Sequence, residues 1–230
     1  MTRLLVLVEG QSEEAFVKRL LAPHLERFDV YVRPVLLWTR CEPQEGGFRG
    51  GATSWRQIRE SLLPLLGDGN AWVTTLLDFH ALPADCPGHE FSDCPDIHMR
   101  VQRLQHAWAG SFKHARFIPF LALHEFEAWM FSSPDVLAEH FGNPEISVQV
   151  NELLLECGGA ERINHGPETH PKARLRVLAG SYRETLDGPL VLEKTGLQVV
   201  RAQCPHFAAW LERLEALGGA GEEMPLCSPA

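Results

Sequence analysis

The sequence predicts an α/β fold: a mostly parallel sheet with helices on both faces, followed by an α-helical C-terminal extension. Three observations lead there. Residues 4–8, 72–77 and 117–123 are apolar runs, and the first, continuous and without alternation, has the pattern of a strand buried on both faces rather than one with a side in water. Stretches with helical spacing separate them, and strands alternating with helices imply parallel pairing through crossovers. Beyond about residue 132 the apolar runs give way to short helical segments broken by Pro and Gly.

Taken in order, RLLVLVE over 3–9 is the first strand, and GQSEEAFVKRLLAPHL is the helix after it. Gly10 permits the turn and Ser12 reads as the N-cap. Glu13 and Glu14 fall in the first turn, where the helix dipole favours anions. Phe16, Val17, Leu20 and Leu21 form the apolar stripe that packs on the sheet. A second strand is expected over Val30–Trp38, then an exposed Gly-rich loop, CEPQEGGFRGGATS, and a helix over Trp55–Leu66 ending before the turn GDGN.

AWVTTLLD, residues 71–78, is the third strand. HALPADCPGHEFSDCPDIH, with three prolines, is a long loop of the kind that is usually functional. Met99–Trp108 reads as a helix, Arg116–Leu123 as a strand interrupted by Pro119, and Glu125–Phe131 as a short helix. Proline lacks the ladder N–H, so Pro119 belongs at an edge or a bulge. The implied domains are 1–131 as the α/β unit, 132–217 as helices packed on it, and 218–230 as a loose tail.

Composition narrows the function. The chain has 230 residues, 45% of them hydrophobic, enough for one substantial core. No apolar stretch approaches the roughly 18 residues of a membrane helix, and the N-terminus carries no export pattern, so a cytoplasmic protein without membrane contact is expected. The six cysteines form no CxxC pair and read as reduced thiols. A net charge of −9 argues against a basic nucleic-acid-binding domain, yet carboxylates loaded with metal present a positive surface to phosphate. GxSxG and GxxxxGK[ST] are both absent, so neither a serine-hydrolase elbow nor a P-loop is encoded.

Each apolar run ends in an acid: the first in Glu9, the second in Asp78, the third in His124 and Glu125. Ligands of open parallel sheets bind outside the carboxyl ends of the strands, so these acids should converge at one edge. Glu13 lies four residues after Glu9, and Glu127 two after Glu125. Five carboxylates at one place suit Mg²⁺ or Mn²⁺, hard cations that take oxygen ligands and serve phosphoryl transfer singly or in pairs. The competing interpretation is that acids after strands are ordinary polar residues of exposed loops.

VEGQSEEAF after a buried strand resembles the first motif of Toprim domains, the fold of topoisomerases, primases and OLD-type nucleases. LLDFHALP resembles the second, an Asp-x-Asp pair of which Asp78 matches the first acid and His80 replaces the second. The collinear set VEGQSEE, TTLLDFHALP, LHEFEAWMFS, INHGPETHPKARL, LDGPL and RAQCPHFAAWLERLE resembles the bacterial family called domain of unknown function 4276, from about residue 3 to 217. That resemblance implies a metal-dependent nuclease acting on DNA in preference to RNA. It also implies an AAA- or ABC-type ATPase partner, a role in bacterial defence, and Lys172 as the cation that meets the phosphate. A homo-oligomer is compatible with it.

His80 is then a ligand for Mn²⁺ or Zn²⁺, a general base or a phosphate contact, and full two-metal competence is in question. The rival functions are a degenerate Toprim module that binds without cutting and a phosphatase for small substrates. The zinc interpretation of His80, Cys86, His89, Cys94 and His98 is weak, because Cys86 and Cys94 are eight apart; they read instead as solvated loop residues. Arg40 and Arg49 are candidate phosphate contacts on the Gly-rich loop.

Overall fold

The computed structural model describes residues 1–38, 52–80, 82–91, 94–164 and 166–219. The Gly-rich loop with Arg40 and Arg49, and nearly all of the expected tail, lie outside them. Strands β1 (Thr2–Val8), β2 (Val30–Leu36), β3 (Ala71–Asp78), β4 (Phe117–Ile118) and β5 (Leu121–Ala122) pair in parallel throughout. The order is β2-β1-β3-β4, and β5 continues alongside β3. From β1 the chain moves to one side for β2, then returns to the other side for β3. The reversal leaves a crevice at the carboxyl ends of β1 and β3, the switch point where open α/β sheets bind ligands.

The alternation of side chains along the strands separates two apolar clusters. Leu4, Val6 and Val8 face Phe16, Val17, Leu21 and Leu25 from α1 (Gln11–Phe16), the π-helical turn Val17–Leu21 and α2 (Ala22–Glu26). Leu5 and Leu7 face Ile58 and Leu62 of α3 (Trp55–Leu66) and Val101, Leu104 and Trp108 of α4 (Ile97–Phe112). Helices therefore cover both faces of the sheet.

The C-terminal half contributes α5 (Pro134–Phe141), α6 (Glu145–Cys157), α7 (Pro171–Leu178), α8 (Glu184–Thr195), α9 (Leu197–Gln203) and α10 (Pro205–Glu215). Phe207, Trp210 and Leu211 of α10 enter the same cluster as Phe16 and the strands. Trp210 stacks on Phe120 with ring centroids 4.2 Å apart, and its indole N–H donates to Thr74 Oγ1 of β3 at 2.9 Å. The Thr2 hydroxyl donates to the Leu217 carbonyl. Sheet and helical half share one continuous core. Among the described residues no helix is long and apolar enough to cross a membrane.

Several sequence expectations need correction. Ser12 does not cap α1: Gly10 occupies the cap, the Glu13 carboxylate reaches back to accept its N–H at 2.9 Å, and the Ser12 hydroxyl donates to the Glu184 carbonyl in α8. β2 stops at Leu36, and its Pro34 is tolerated because β2 is an edge strand. α4 is longer than its apolar spacing suggests, since Asp96 accepts from the His98 and Met99 amides and starts it at Ile97. The 116–123 run divides into β4 and β5 about Pro119, at the sheet edge. Cys86 is not solvated but packed in the α3/α4 cluster, where burial pushes its thiol up to about 12. Among the described residues Cys86, Cys94, Cys157 and Cys204 are free thiols.

Candidate metal centre

Three backbone features deliver the acids to the crevice. β1 ends at Val8, which places Glu9 beside the end of β3, and Glu9 Oε2 accepts the Asp78 amide at 3.2 Å. β3 ends at Asp78 itself, whose Oδ1 accepts the Phe126 amide at 2.8 Å and so ties β3 to the segment after β5. That segment turns sharply. His124 takes the left-handed conformation at φ 63°, an uncommon state for a residue with a side chain, and it redirects the chain just before Glu125. The His124 carbonyl accepts the His80 amide at 2.8 Å, locking the two strand exits together.

Glu125 precedes the 3-10 turn Phe126–Ser132, which carries Glu127 back towards Asp78. Asp78, Glu125 and Glu127 are all buried, and each offers a carboxylate oxygen within 4.8 Å of the other two. A second set, His80, Glu125 and His170, meets the same 4.8 Å limit and shares Glu125 with the first. Two of the three strand-ending acids therefore meet directly. Glu9 and Glu13 fall in neither set, although both interact electrostatically with it: Glu9 with Glu125, Glu13 with Glu127 and Glu9.

Helix α7 supplies what the acids lack. Its first residues bring Lys172 Nζ to 3.7 Å from Glu125 Oε1 and 3.6 Å from Glu127 Oε1. The Lys172 amide and His170 Nδ1 both bond Glu125 Oε2, at 2.9 and 2.8 Å. The Tyr182 hydroxyl donates to Glu127 Oε1 at 3.0 Å. His80 stacks on His170, centroids 4.8 Å apart and planes 17° from parallel, at the exposed mouth. His170 and Tyr182 were not singled out from sequence. The signal was present for His170, which stands two residues before Lys172 in INHGPETHPKARL, whereas Tyr182 carried none.

Burial is the main influence on the acids. It raises the carboxyls of Glu9, Asp78 and Glu127 above their ordinary range and pushes Glu13 up to about 7, with neighbouring carboxylates adding to the shift. For Lys172 burial favours the neutral amine, but Glu127, Asp78 and Glu125 outweigh it and hold the group well above its ordinary value. Lys172 stays charged. Burial and Glu127 likewise keep the Tyr182 phenol protonated, so it remains a donor.

These residues fit a hard divalent cation. Glu127 Oε2 is buried and has no hydrogen-bond partner among the described residues, an arrangement that costs free energy unless something else satisfies it. Glu127 itself belongs to the set with Asp78 and Glu125, the oxygen-rich donor chemistry that Mg²⁺ and Mn²⁺ take.

Fold and site together define an α/β protein with a buried carboxylate cluster, able to hold a metal ion, at the switch point of a parallel sheet. The chain belongs to the family described as Domain of unknown function (DUF4276), whose model matches residues 8–215. Among solved structures it is similar to the C-terminal region of the OLD protein of Xanthomonas campestris pv. campestris, at 15% identity and a TM-score of 0.41, over 96% of this chain and 97% of that one. No curated protein sequence matches it.

Proposed function

We propose that this chain is a metal-dependent nuclease hydrolysing phosphodiester bonds, in DNA in preference to RNA. Asp78, Glu125 and Glu127 would hold Mg²⁺ or Mn²⁺, with Glu9 and Glu13 as auxiliaries. The observation that carries the proposal is the convergence of those three buried acids beside a charged Lys172 at the switch point. When bound, such an ion activates water and neutralises charge on the scissile phosphate.

The chain's own groups have separable tasks. Lys172 Nζ offers fixed positive charge to a phosphate oxygen, in a site where burial strengthens electrostatic contacts. His170 fixes Glu125 and Tyr182 fixes Glu127, so the carboxylates present oriented oxygens without further ordering. His80, at the exposed mouth, is placed to exchange a proton or contact phosphate. The family resemblance supports a Toprim-like unit, an AAA- or ABC-type ATPase partner and a defence role. The change of sequence pattern near residue 132 supports a division into 1–131 and 132–217 packed on it, and the cysteine usage supports a cytoplasmic setting.

The decisive assay incubates the chain, alone and with its ATPase partner, with linear and supercoiled DNA and with RNA in Mg²⁺ or Mn²⁺. Cleavage is expected from the parent and not from Asp78→Asn or Glu127→Gln. Cleavage that survives both substitutions, or that appears with neither metal, removes the proposal. The second reading, a module that binds nucleic acid or a partner without cutting, is favoured by His80 standing where Toprim domains carry an acid, and nucleic-acid retention without cleavage selects it.

A further inference from the structure

We propose that His80, His170 and Glu125 form a second cation position, selective for a borderline transition metal such as Zn²⁺ or Co²⁺, at the mouth of the acidic site. The inference deepens the metal-centre reading and shares Glu125 with it, but it stands on different residues. One ligand atom from each of the three lies within 4.8 Å of the others. The stack of His80 on His170 holds the two imidazoles together although they come from β3's exit and the start of α7, 90 residues apart in sequence. Glu125 Oε2 already engages His170 Nδ1 at 2.8 Å, so carboxylate and imidazole are oriented towards each other.

Donor chemistry divides the two positions. Asp78, Glu125 and Glu127 offer only oxygen, which suits Mg²⁺. Two imidazoles and one carboxylate suit Zn²⁺, Co²⁺ and, less strongly, Mn²⁺, and discriminate against Mg²⁺. His80 and His170, the latter arriving from the helical half to complete the set, therefore decide which ion the mouth selects. Exposure of His80 gives the ion an entry path from solvent.

The test is a Co²⁺ titration of the full chain in saturating Mg²⁺, reading the visible absorption of nitrogen-ligated Co²⁺ and the bound stoichiometry. One Co²⁺ per chain is expected, resistant to excess Mg²⁺ and displaced by Zn²⁺. His80→Ala, at an exposed position, is expected to weaken binding by about 100-fold. His170→Asn, which keeps a capping oxygen at the start of α7, should do the same. Unchanged Co²⁺ affinity in both variants overturns the site, and so does displacement of Co²⁺ by Mg²⁺. Glu127→Gln leaves all three ligands in place and should retain the Co²⁺ signal. A retained signal in a parent chain that cleaves nothing with any metal would sink the nuclease proposal and leave this one standing.

Discussion

Burying Asp78, Glu125 and Glu127 beside Lys172 takes three acids and one cation out of good solvent, and the attraction of Lys172 for the acids offsets only part of that cost and of their mutual repulsion. A buried Glu127 oxygen without a partner among the described residues adds to it. A divalent ion binding there should stabilise the fold by mass action, by about 2.7 kcal/mol at a hundred times its dissociation constant. Lys172→Met keeps the aliphatic stem but deletes the cation, and is expected to cost about 3 kcal/mol in chelator. Mn²⁺ should recover much of that loss. Urea denaturation of parent and variant, each with EDTA and with Mn²⁺, measures both effects; a variant equally destabilised in both conditions contradicts the account. At this scale the acids were legible in sequence because strand ends announce themselves, while Tyr182 was not, since a hydroxyl's partner is set by packing.

The start of α10 shows how an element can carry a pH dependence. Glu161, in the 3-10 turn Ala160–Arg162, accepts the His206 and Phe207 amides at 2.8 and 3.0 Å and so satisfies two orphan donors of the helix. Burial nevertheless outweighs those bonds and pushes its carboxyl up to about 7. The native state thus holds a proton that the unfolded chain releases near 4.5. Its contribution to stability is complete below that pH and is lost as pH rises through about 7. Across pH 4.5–7 the parent should lose about 2 kcal/mol more than Glu161→Gln, read as the change in urea midpoint. A parallel pH dependence in the two proteins contradicts it. Elements with strong periodicity, β1, α3 and β3, were located from sequence nearly to the residue. α4 was underestimated because its cap, Asp96, lies in a loop that reads as irregular, and β4 and β5 were merged because Pro119 removes a donor without removing the apolar pattern.

For the whole molecule, the consequential fact is that the helical half completes the core of the sheet. Phe207 and Trp210 pack with Phe16, Phe120 and Trp129, and Trp210 supplies the partner of Thr74. Trp210→Ala should therefore cost about 3–5 kcal/mol. Far-UV and near-UV signals should report one coincident unfolding transition for the full chain, and residues 1–131 alone should fail to give a cooperative one. Two separated transitions would show that the halves are independent.

By itself the sequence determined the alternation of strands and helices, the parallel sheet and the acids Glu9, Asp78 and Glu125 at strand ends, because those follow from periodicity and local chain direction. Tertiary structure decided which acids meet. Asp78, Glu125 and Glu127 share one space, whereas Glu9 turns onto the Asp78 amide and Glu13 onto its own helix start. It also decided that α7 brings His170 and Lys172 to Glu125 from about 45 residues away, a contact no local pattern encodes. The reason is physical: spacing fixes which face or end a side chain occupies, but only the packing of one element on another fixes what it touches there.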